Sequence, residues 1–198
     1  MTIKPAPRNP RNAAKAARGL RWQGGEGYKT PTCFLDARMI ATADSDFALD
    51  LPDLAATAAL AGALAALARP GDVIALAGEL GTGKTSFARA FIRARGGTDE
   101  VPSPTFTLVQ EYALPSGVVC HFDLYRLERP ADAYELGIEE AFAGAISLVE
   151  WPDRLGPLLP PDRLDVRLSF AERADSRRAE LRAGRSWGDR LARARLNG

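Results

Sequence analysis

The order of apolar and polar positions along the chain predicts an α/β protein. Val73–Ala77 is an uninterrupted apolar run, which is typical of a buried strand. Leu54–Ala68 carries leucines at helical spacing, and Lys84–Arg95 carries two phenylalanines four residues apart, so each range predicts a helix with an apolar face. A helix therefore precedes the strand, and a second helix follows it.

The rest of the chain predicts shorter elements around a mixed sheet. Strands are expected over Phe106–Tyr112, Val118–Tyr125, Ala145–Val149, Arg163–Phe170 and Arg177–Ala183. Short helical segments are expected from Pro130 and over Ile138–Ala143. A last helix is also expected, because Ser186-x-x-Asp189 resembles the capping box at a helix start. The first two of these strands are separated by a short turn and predict an antiparallel hairpin, as do the last two.

A glycine-rich loop joins the first strand to the second helix and carries the chemistry. It reads Gly78-Glu79-Leu80-Gly81-Thr82-Gly83-Lys84-Thr85, which matches G-x-x-x-x-G-K-[ST]. Glycines let successive backbone N–H groups turn towards phosphate oxygens, and the helix N-terminus favours an anion. Lys84 supplies a positive charge, and the Thr85 hydroxyl is a hard oxygen ligand suited to Mg²⁺.

The loop and its context predict a P-loop NTPase-like three-layer α/β sandwich with a mixed, partly antiparallel central sheet. Lys84 is the only lysine after Lys29 in a chain that otherwise uses arginine. The candidate nucleotide-binding residues of the loop are Glu79, Leu80, Gly81, Thr82, Gly83, Lys84, Thr85 and Ser86.

Composition and charge divide the chain into two parts. Residues 1–47 contain scattered prolines, glycines and basic residues without a period, so we expect a disordered basic extension. Residues 48–198 form the predicted ATPase domain. Residues 36–171 carry eleven basic and twenty acidic residues, which makes this body a poor candidate for gripping a nucleic acid backbone by itself. The basic extension either contacts RNA or is a plain unstructured tail.

The expected location is the cytoplasm. Cys33 and Cys120 lie far apart and follow no metal-binding spacing, which fits a reducing compartment. The first residues lack the apolar centre of a signal peptide. The apolar stretch Leu54–Ala68 is too short to span a bilayer, so no membrane association is expected.

Two acids compete for the place beside Mg²⁺, which in phosphate-loop proteins follows an apolar strand. Glu150 ends the cleaner strand, and Asp123 ends a more mixed one. One of them could bind the metal while the other orients water, and for each the alternative is an ordinary strand-end carboxylate. The candidate catalytic residues are Lys84, Asp123 and Glu150.

Other residues near these acids have open assignments. Ser103-Pro104-Thr105 is either a nucleotide-sensing switch, with Thr105 near the γ-phosphate, or a rigid proline turn. His121, the only histidine, is expected to be structural because of its position within a strand. Trp151 packs against either the nucleotide site or the core. The guanine-reading N-K-x-D pattern is absent, so ATP is the expected nucleotide.

Four segments in order resemble the bacterial TsaE family, the ATPase of tRNA threonylcarbamoyladenosine biosynthesis. They are Gly78–Phe87, Ser103–Val109, His121–Arg126 and Leu148–Pro152. The resemblance runs from about Leu51 into the 180s and leaves residues 1–47 outside it. Thr82 stands where a smaller alanine or serine is expected, which should not affect phosphate binding.

The resemblance implies that Thr85 and Glu150 bind Mg²⁺ and that Asp123 is needed for hydrolysis. It implies a partnership with TsaD and TsaB, which transfer a threonylcarbamoyl group to the N6 of adenosine 37 in tRNAs reading ANN codons. By this resemblance the protein would contact TsaD and TsaB and would act on tRNA only indirectly. The resemblance also implies that Leu54 and Thr57 approach the adenine, and that an arginine near Arg178 approaches the phosphates.

Two further function classes fit the same loop. A small-molecule or nucleotide kinase would use the C-terminal arginines as a lid over the phosphates, and would yield a phosphorylated acceptor rather than free phosphate. A nucleotide-sensing module would bind ATP without useful hydrolysis.

Overall fold

A computed structural model of the chain describes residues 40–42, 46–97 and 101–196. Its strands are β1 (Ile40–Thr42), β2 (Asp46–Leu51), β3 (Val73–Ala77), β4 (Val109–Leu114), β5 (Gly117–Asp123), β6 (Ile146–Glu150), β7 (Leu164–Phe170) and β8 (Arg177–Ala183). Its α-helices are α1 (Leu54–Leu67), α2 (Lys84–Ala94), α3 (Ile138–Gly144) and α4 (Arg185–Leu196). Two 3-10 helices span Pro130–Leu136 and Pro152–Leu158.

The strands form one mixed sheet in the order β1-β2-β8-β7-β3-β6-β5-β4. The block β7-β3-β6-β5 is parallel, and the other neighbouring pairs are antiparallel. The predicted mixed sheet with two hairpins is therefore confirmed. Because β3, β6 and β5 run in the same direction, their carboxyl ends meet at one edge, where ligands of open α/β sheets bind.

Helices cover both faces of the sheet. On one face α1, α2 and α4 share a buried cluster with the strands, to which they contribute Leu60, Leu64, Phe87, Phe91, Trp187 and Leu191. On the other face α3 and the 3-10 helices pack around Phe122, Val149 and Leu155. The layers keep the parallel strands out of water, as such strands require. In the described part of the chain, no helix combines the length and apolar character needed to cross a bilayer.

The starts of two elements differ from the sequence predictions for identifiable reasons, while several other bounds shift by one or two residues. The strand expected from Phe106 begins at Val109, because Leu108 has φ +63° and its N–H donates to Pro104 O (2.7 Å) in a tight turn. The last helix begins at Arg185, so Ser186 lies inside its first turn. Ser186 N–H and Oγ instead bond Oδ1 of Asp162, each at 3.2 Å, and a carboxylate from another segment thus takes the predicted capping role.

The predicted domain boundary at 47/48 is also revised. β1 and the start of β2 lie before it, and β2 pairs antiparallel with β8. Phe47, Leu49 and Leu51 lie on one face of β2 and are buried, and on the other face Ala48 is buried while Asp50 is exposed. The predicted disorder of the remaining N-terminal residues falls outside the described residues.

A nearly buried ion pair attaches α4 to the turn before β3. Arg190 Nη1 and Nη2 donate to the two carboxylate oxygens of Asp72 at 2.5 and 2.7 Å, and Nη1 also donates to Leu67 O at the end of α1. The two side chains are only 10% and 11% exposed. The guanidinium also lies over the ring of Trp187. The pair therefore joins α1, α4 and the strand that leads into the glycine loop.

Replacement Arg190→Ala should lower the free energy of unfolding by about 3 kcal/mol, because the Asp72 carboxylate would remain buried without its partner. Urea denaturation measures the effect. The matched control is Arg129→Ala, which removes an ion pair with Asp132 in which the arginine is 79% exposed and should leave the urea midpoint unchanged. Equal losses in the two variants would contradict a structural role for the Arg190 pair.

Candidate nucleotide-binding site

The glycine loop takes a backbone course that residues with side chains rarely follow. Gly78, Gly81 and Gly83 have φ of +137°, +81° and +105°. A Cβ at Gly78 would collide with the carbonyl oxygen of Leu168 in β7 and would lie 2.8 Å from Thr82 Oγ1. Glycine is therefore required at Gly78 both by backbone conformation and by close packing against the neighbouring strand.

Lys84 points back into its own loop. Its ammonium donates to the carbonyl oxygens of Gly78 and Glu79, each at 2.8 Å, and lies 3.9 Å from the centroid of the Trp151 ring. The side chain is buried, and burial lowers the pKa of Lys84 while the carboxylates of Glu150 and Asp123 act to raise it. The loop thus holds a desolvated cation at the predicted phosphate-binding position.

Glu150 is held at both of its carboxylate oxygens. Thr85 Oγ1 donates to Oε2 at 3.0 Å, and Nε2 of His121 lies 2.9 Å from Oε1. The side chain is buried at the carboxyl end of β6, beside the start of α2. The hydroxyl predicted to bind Mg²⁺ and the stronger candidate metal acid are therefore hydrogen-bonded to each other.

Asp123 lies next to Glu150, because the register of β5 and β6 pairs these two residues. Thr105 Oγ1 donates to Asp123 Oδ2 at 2.9 Å, and Tyr125 N–H approaches Oδ1 at 3.3 Å. Since the Thr105 proton goes to a carboxylate, Ser103 Oγ, 2.8 Å away, donates to Thr105. The Ser103-Pro104-Thr105 segment is thus hydrogen-bonded to the second candidate acid.

These groups surround a cleft of about 240 Å³. Of the predicted site residues it brings together Leu80, Gly81, Gly83, Lys84, Thr85, Ser86, Thr105, Asp123 and Glu150. Two aromatic residues complete the lining, with ring centroids 5.0 Å apart: Tyr125, which the predictions did not assign, and Trp151, which they left between the nucleotide site and the core. Their positions in the sequence could have indicated them, because Tyr125 lies two residues after Asp123 and Trp151 directly follows Glu150.

Two predicted loop residues do not line the cleft. The Glu79 side chain is exposed, and this residue contributes its carbonyl oxygen, which accepts from Lys84 and from the Thr82 hydroxyl. Thr82 is buried and uses its hydroxyl inside the loop rather than towards a ligand. Leu54 and Thr57 also lie outside the lining: Leu54 is exposed, and Thr57 is buried with its hydroxyl on Asp53 O.

Arg178, predicted among the nucleotide-binding residues, does not face the glycine loop, and the approach of an arginine near it to the phosphates stays a prediction. The Arg178 guanidinium pairs with Asp50 at 3.1 Å and lines a separate cavity of about 500 Å³. Successive residues of a strand point to opposite faces, so its neighbour Arg177 faces the loop instead. Arg177 Nη2 lies 3.5 Å from Gly81 O, and its guanidinium stacks over the Phe170 ring. The arginine of β8 that contacts the loop is therefore Arg177.

The family model described as threonylcarbamoyl adenosine biosynthesis protein TsaE matches residues 51–179, which include every residue that lines the cleft. The chain belongs to the TsaE family. The resemblance inferred from four motifs is thereby confirmed. The matched region ends within β8, so α4 and Arg190 lie beyond it, whereas Asp72, the partner of Arg190, lies inside it.

Relatives named tRNA threonylcarbamoyladenosine biosynthesis protein TsaE come from several bacteria. That of Rickettsia bellii is 42% identical over 113 residues, which cover 57% of this chain and 78% of the relative. That of Haemophilus influenzae is 35% identical over 126 residues, with coverage of 63% and 78%. The crystal structure of YdiB from Bacillus subtilis superimposes with a TM-score of 0.67 at 29% identity and covers 79% of this chain and 99% of that one. The predicted P-loop NTPase-like α/β fold is confirmed.

Replacement Gly78→Ala should destabilise the protein more than Gly117→Ala. Gly117 also has a positive φ, +112°, but a Cβ there would meet no atom within 4 Å. Both variants adopt an unfavourable backbone, with a loss of about 1–3 kcal/mol, and only Gly78→Ala adds a collision with β7. Urea denaturation without nucleotide measures the difference, and equal losses would show that the contact with Leu168 does not matter.

Proposed function

We propose that this TsaE family member is a Mg²⁺-dependent ATPase that supports threonylcarbamoylation of adenosine 37 in tRNAs reading ANN codons, acting in the cytoplasm on a TsaD–TsaB complex. The observation that supports the ATPase assignment best is the pairing of Asp123 with Glu150 beside Lys84 and Thr85. The tRNA assignment rests on membership of the TsaE family.

The loop fits the phosphates of ATP. Lys84 donates to two loop carbonyl groups, and a phosphate oxygen could replace either as acceptor while the ammonium remains in place. A Cβ at Gly83 would meet no atom within 4 Å, so the backbone there leaves room for a ligand. Backbone N–H groups at the start of α2 would add an anion-binding helix terminus. The sequence lacks a guanine-reading motif, which favours adenine.

Thr85 and Glu150 fit Mg²⁺. Both offer hard oxygens, and the Thr85 hydroxyl can donate its proton to Glu150 while its lone pairs remain for the metal. Among residues 40–42, 46–97 and 101–196, no three acidic, histidine or cysteine side chains form a metal cluster. A site whose protein ligands are only Thr85 and Glu150 suits Mg²⁺, because this ion is usually held by one or two protein oxygens together with phosphates and water. The bound ion would neutralise charge that develops on the transferred phosphoryl group.

Asp123 is the proposed general base that orients the attacking water. Hydrogen bonds from Thr105 and from Tyr125 N–H hold its carboxylate at the edge of the cleft. A carboxylate held in this way can accept a hydrogen bond from water and then its proton. Because Thr105 belongs to the Ser103-Pro104-Thr105 segment, movement of that segment would change the orientation of Asp123.

The partner assignment draws support from large apolar side chains that are exposed at, or next to, residues lining the cleft. Leu80, Phe106 and Phe170 are 76%, 83% and 52% exposed, and Leu80 lies in the glycine loop itself. Large exposed apolar side chains beside a site favour contact with another protein. The acidic body argues against direct binding of a tRNA backbone, so we propose that tRNA is reached through TsaD and TsaB.

Replacement Asp123→Asn should reduce ATP hydrolysis by about 10²- to 10⁴-fold while leaving ATP binding nearly intact, because the amide cannot take a proton from water. Single-turnover phosphate release and equilibrium binding of ATP measure the two effects. Asp153→Asn is the matched control, since Asp153 is an exposed acid three residues after Glu150. Normal hydrolysis in Asp123→Asn would remove the proposed base.

Reconstitution with TsaD, TsaB, tRNA, ATP and the threonylcarbamoyl donor tests the biological role. Repeated turnover of tRNA modification should require this protein and should be lost with Lys84→Ala, because the loop would no longer hold phosphates. Free phosphate should be the product. Modification that proceeds equally without the protein would refute the role, and a phosphorylated acceptor would identify a kinase instead.

A further inference from the structure

We infer that His121 is a positioning residue for the metal site: its imidazole fixes the orientation of the Glu150 carboxylate that Mg²⁺ requires. The inference rests on the proposed function, since it assumes that Glu150 and Thr85 hold the metal. It assigns a specific task to a histidine whose place within a strand predicts only a structural role.

The position of His121 follows from the sheet. It lies in β5, two residues before Asp123, and pairs in register with Leu148 of β6, two residues before Glu150. Residues two apart share a face, so His121, Asp123 and Glu150 lie on the same side of two adjacent strands. The His121 side chain is fully buried and is withdrawn from the cleft that its neighbours line.

The hydrogen bond has a defined direction. Oε1 of an ionised Glu150 can only accept, so Nε2 of His121 carries the proton in the 2.9 Å contact. The other nitrogen, Nδ1, is buried and has no hydrogen-bond partner in the part of the chain that the structure describes. A histidine kept for packing would satisfy both nitrogens or give way to an apolar residue, because a buried polar atom without a partner is unfavourable. Within the described residues, the contact with Glu150 is thus the only hydrogen bond that the ring makes.

This contact completes a two-point hold on the carboxylate. Thr85 alone would fix Oε2 and leave the group able to turn about its last side-chain bond, which has a broad torsional preference. His121 fixes Oε1 from the buried side and stops that rotation. A metal that binds through the Thr85 hydroxyl then meets a carboxylate that is already oriented. Hydrogen bonds that orient metal ligands in this way commonly change metal affinity by 10- to 100-fold when they are removed.

The decisive experiment compares metal binding with nucleotide binding in His121→Leu. Mn²⁺ replaces Mg²⁺ as the probe, and electron paramagnetic resonance measures its affinity for the protein–ADP complex, while titration of ADP in EDTA measures nucleotide affinity without metal. We expect Mn²⁺ to bind about 10- to 100-fold more weakly and ADP affinity in EDTA to be unchanged. Unchanged Mn²⁺ affinity would overturn the inference. So would an ADP affinity in EDTA that falls by the same factor as the Mn²⁺ affinity.

The pair His121→Gln and His121→Asn keeps the test valid if His121→Leu does not fold. The longer glutamine side chain can place an N–H near the position of Nε2, whereas the asparagine amide lies closer to the backbone, near Nδ1. Glutamine should therefore retain Mn²⁺ affinity and asparagine should lose it, although both are neutral amides. Equal Mn²⁺ affinities in the two variants would contradict the positioning role.

Two further variants separate failure of the inference from failure of the proposed site. Ser147→Ala alters another buried strand side chain whose Oγ has no hydrogen-bond partner in the described residues, and it should leave Mn²⁺ binding unchanged. Glu150→Gln should abolish most Mn²⁺ binding. If Glu150→Gln binds Mn²⁺ normally, the proposed metal site itself is wrong. If Glu150→Gln no longer binds Mn²⁺ and His121→Leu binds it normally, the proposed metal site is supported and the positioning role of His121 is wrong.

Discussion

The parallel pairing of β3, β6 and β5 is the constraint on which the site depends. It brings the start of the glycine loop, Glu150 and Asp123 to one edge of the sheet, although Asp123 lies 45 positions after Gly78. Because side chains alternate along a strand, a slip of one residue in β6 would turn Glu150 towards the opposite layer. Val149, which faces that layer, packs among apolar side chains and would move towards the cleft.

The site also buries three charged side chains. Lys84, Asp123 and Glu150 are nearly inaccessible to water, and isolated buried charges are strongly unfavourable. Here the lysine has two carbonyl acceptors, and each acid accepts from a threonine hydroxyl. The network therefore replaces hydration with fixed partners. It also keeps the groups in place before a ligand arrives, which is the condition for electrostatic stabilisation of a phosphoryl group.

Elements of the C-terminal half contact the glycine loop and the turn before β3. β7 packs its backbone against Gly78, and β8 directs Arg177 to the loop while Arg178 pairs on the other face. The Arg190 pair then ties α4 to the turn before β3. These contacts join segments more than eighty residues apart in sequence, so they explain why a short loop can hold a fixed shape.

The sequence alone determined the strand, loop and helix around Lys84, the mixed sheet and the family, because residue spacing and local backbone preference carry that information. It also indicated Asp123 and Glu150 as candidate acids, since each lies at the end of a predicted strand. It did not predict β2 or the start of β4, where a leucine with positive φ delays the strand. Only the tertiary structure decided that Arg177 rather than Arg178 contacts the loop and that His121 bonds Glu150. Both outcomes depend on which strands are neighbours and in what register they pair, a property that arises from contacts between distant segments rather than from local sequence.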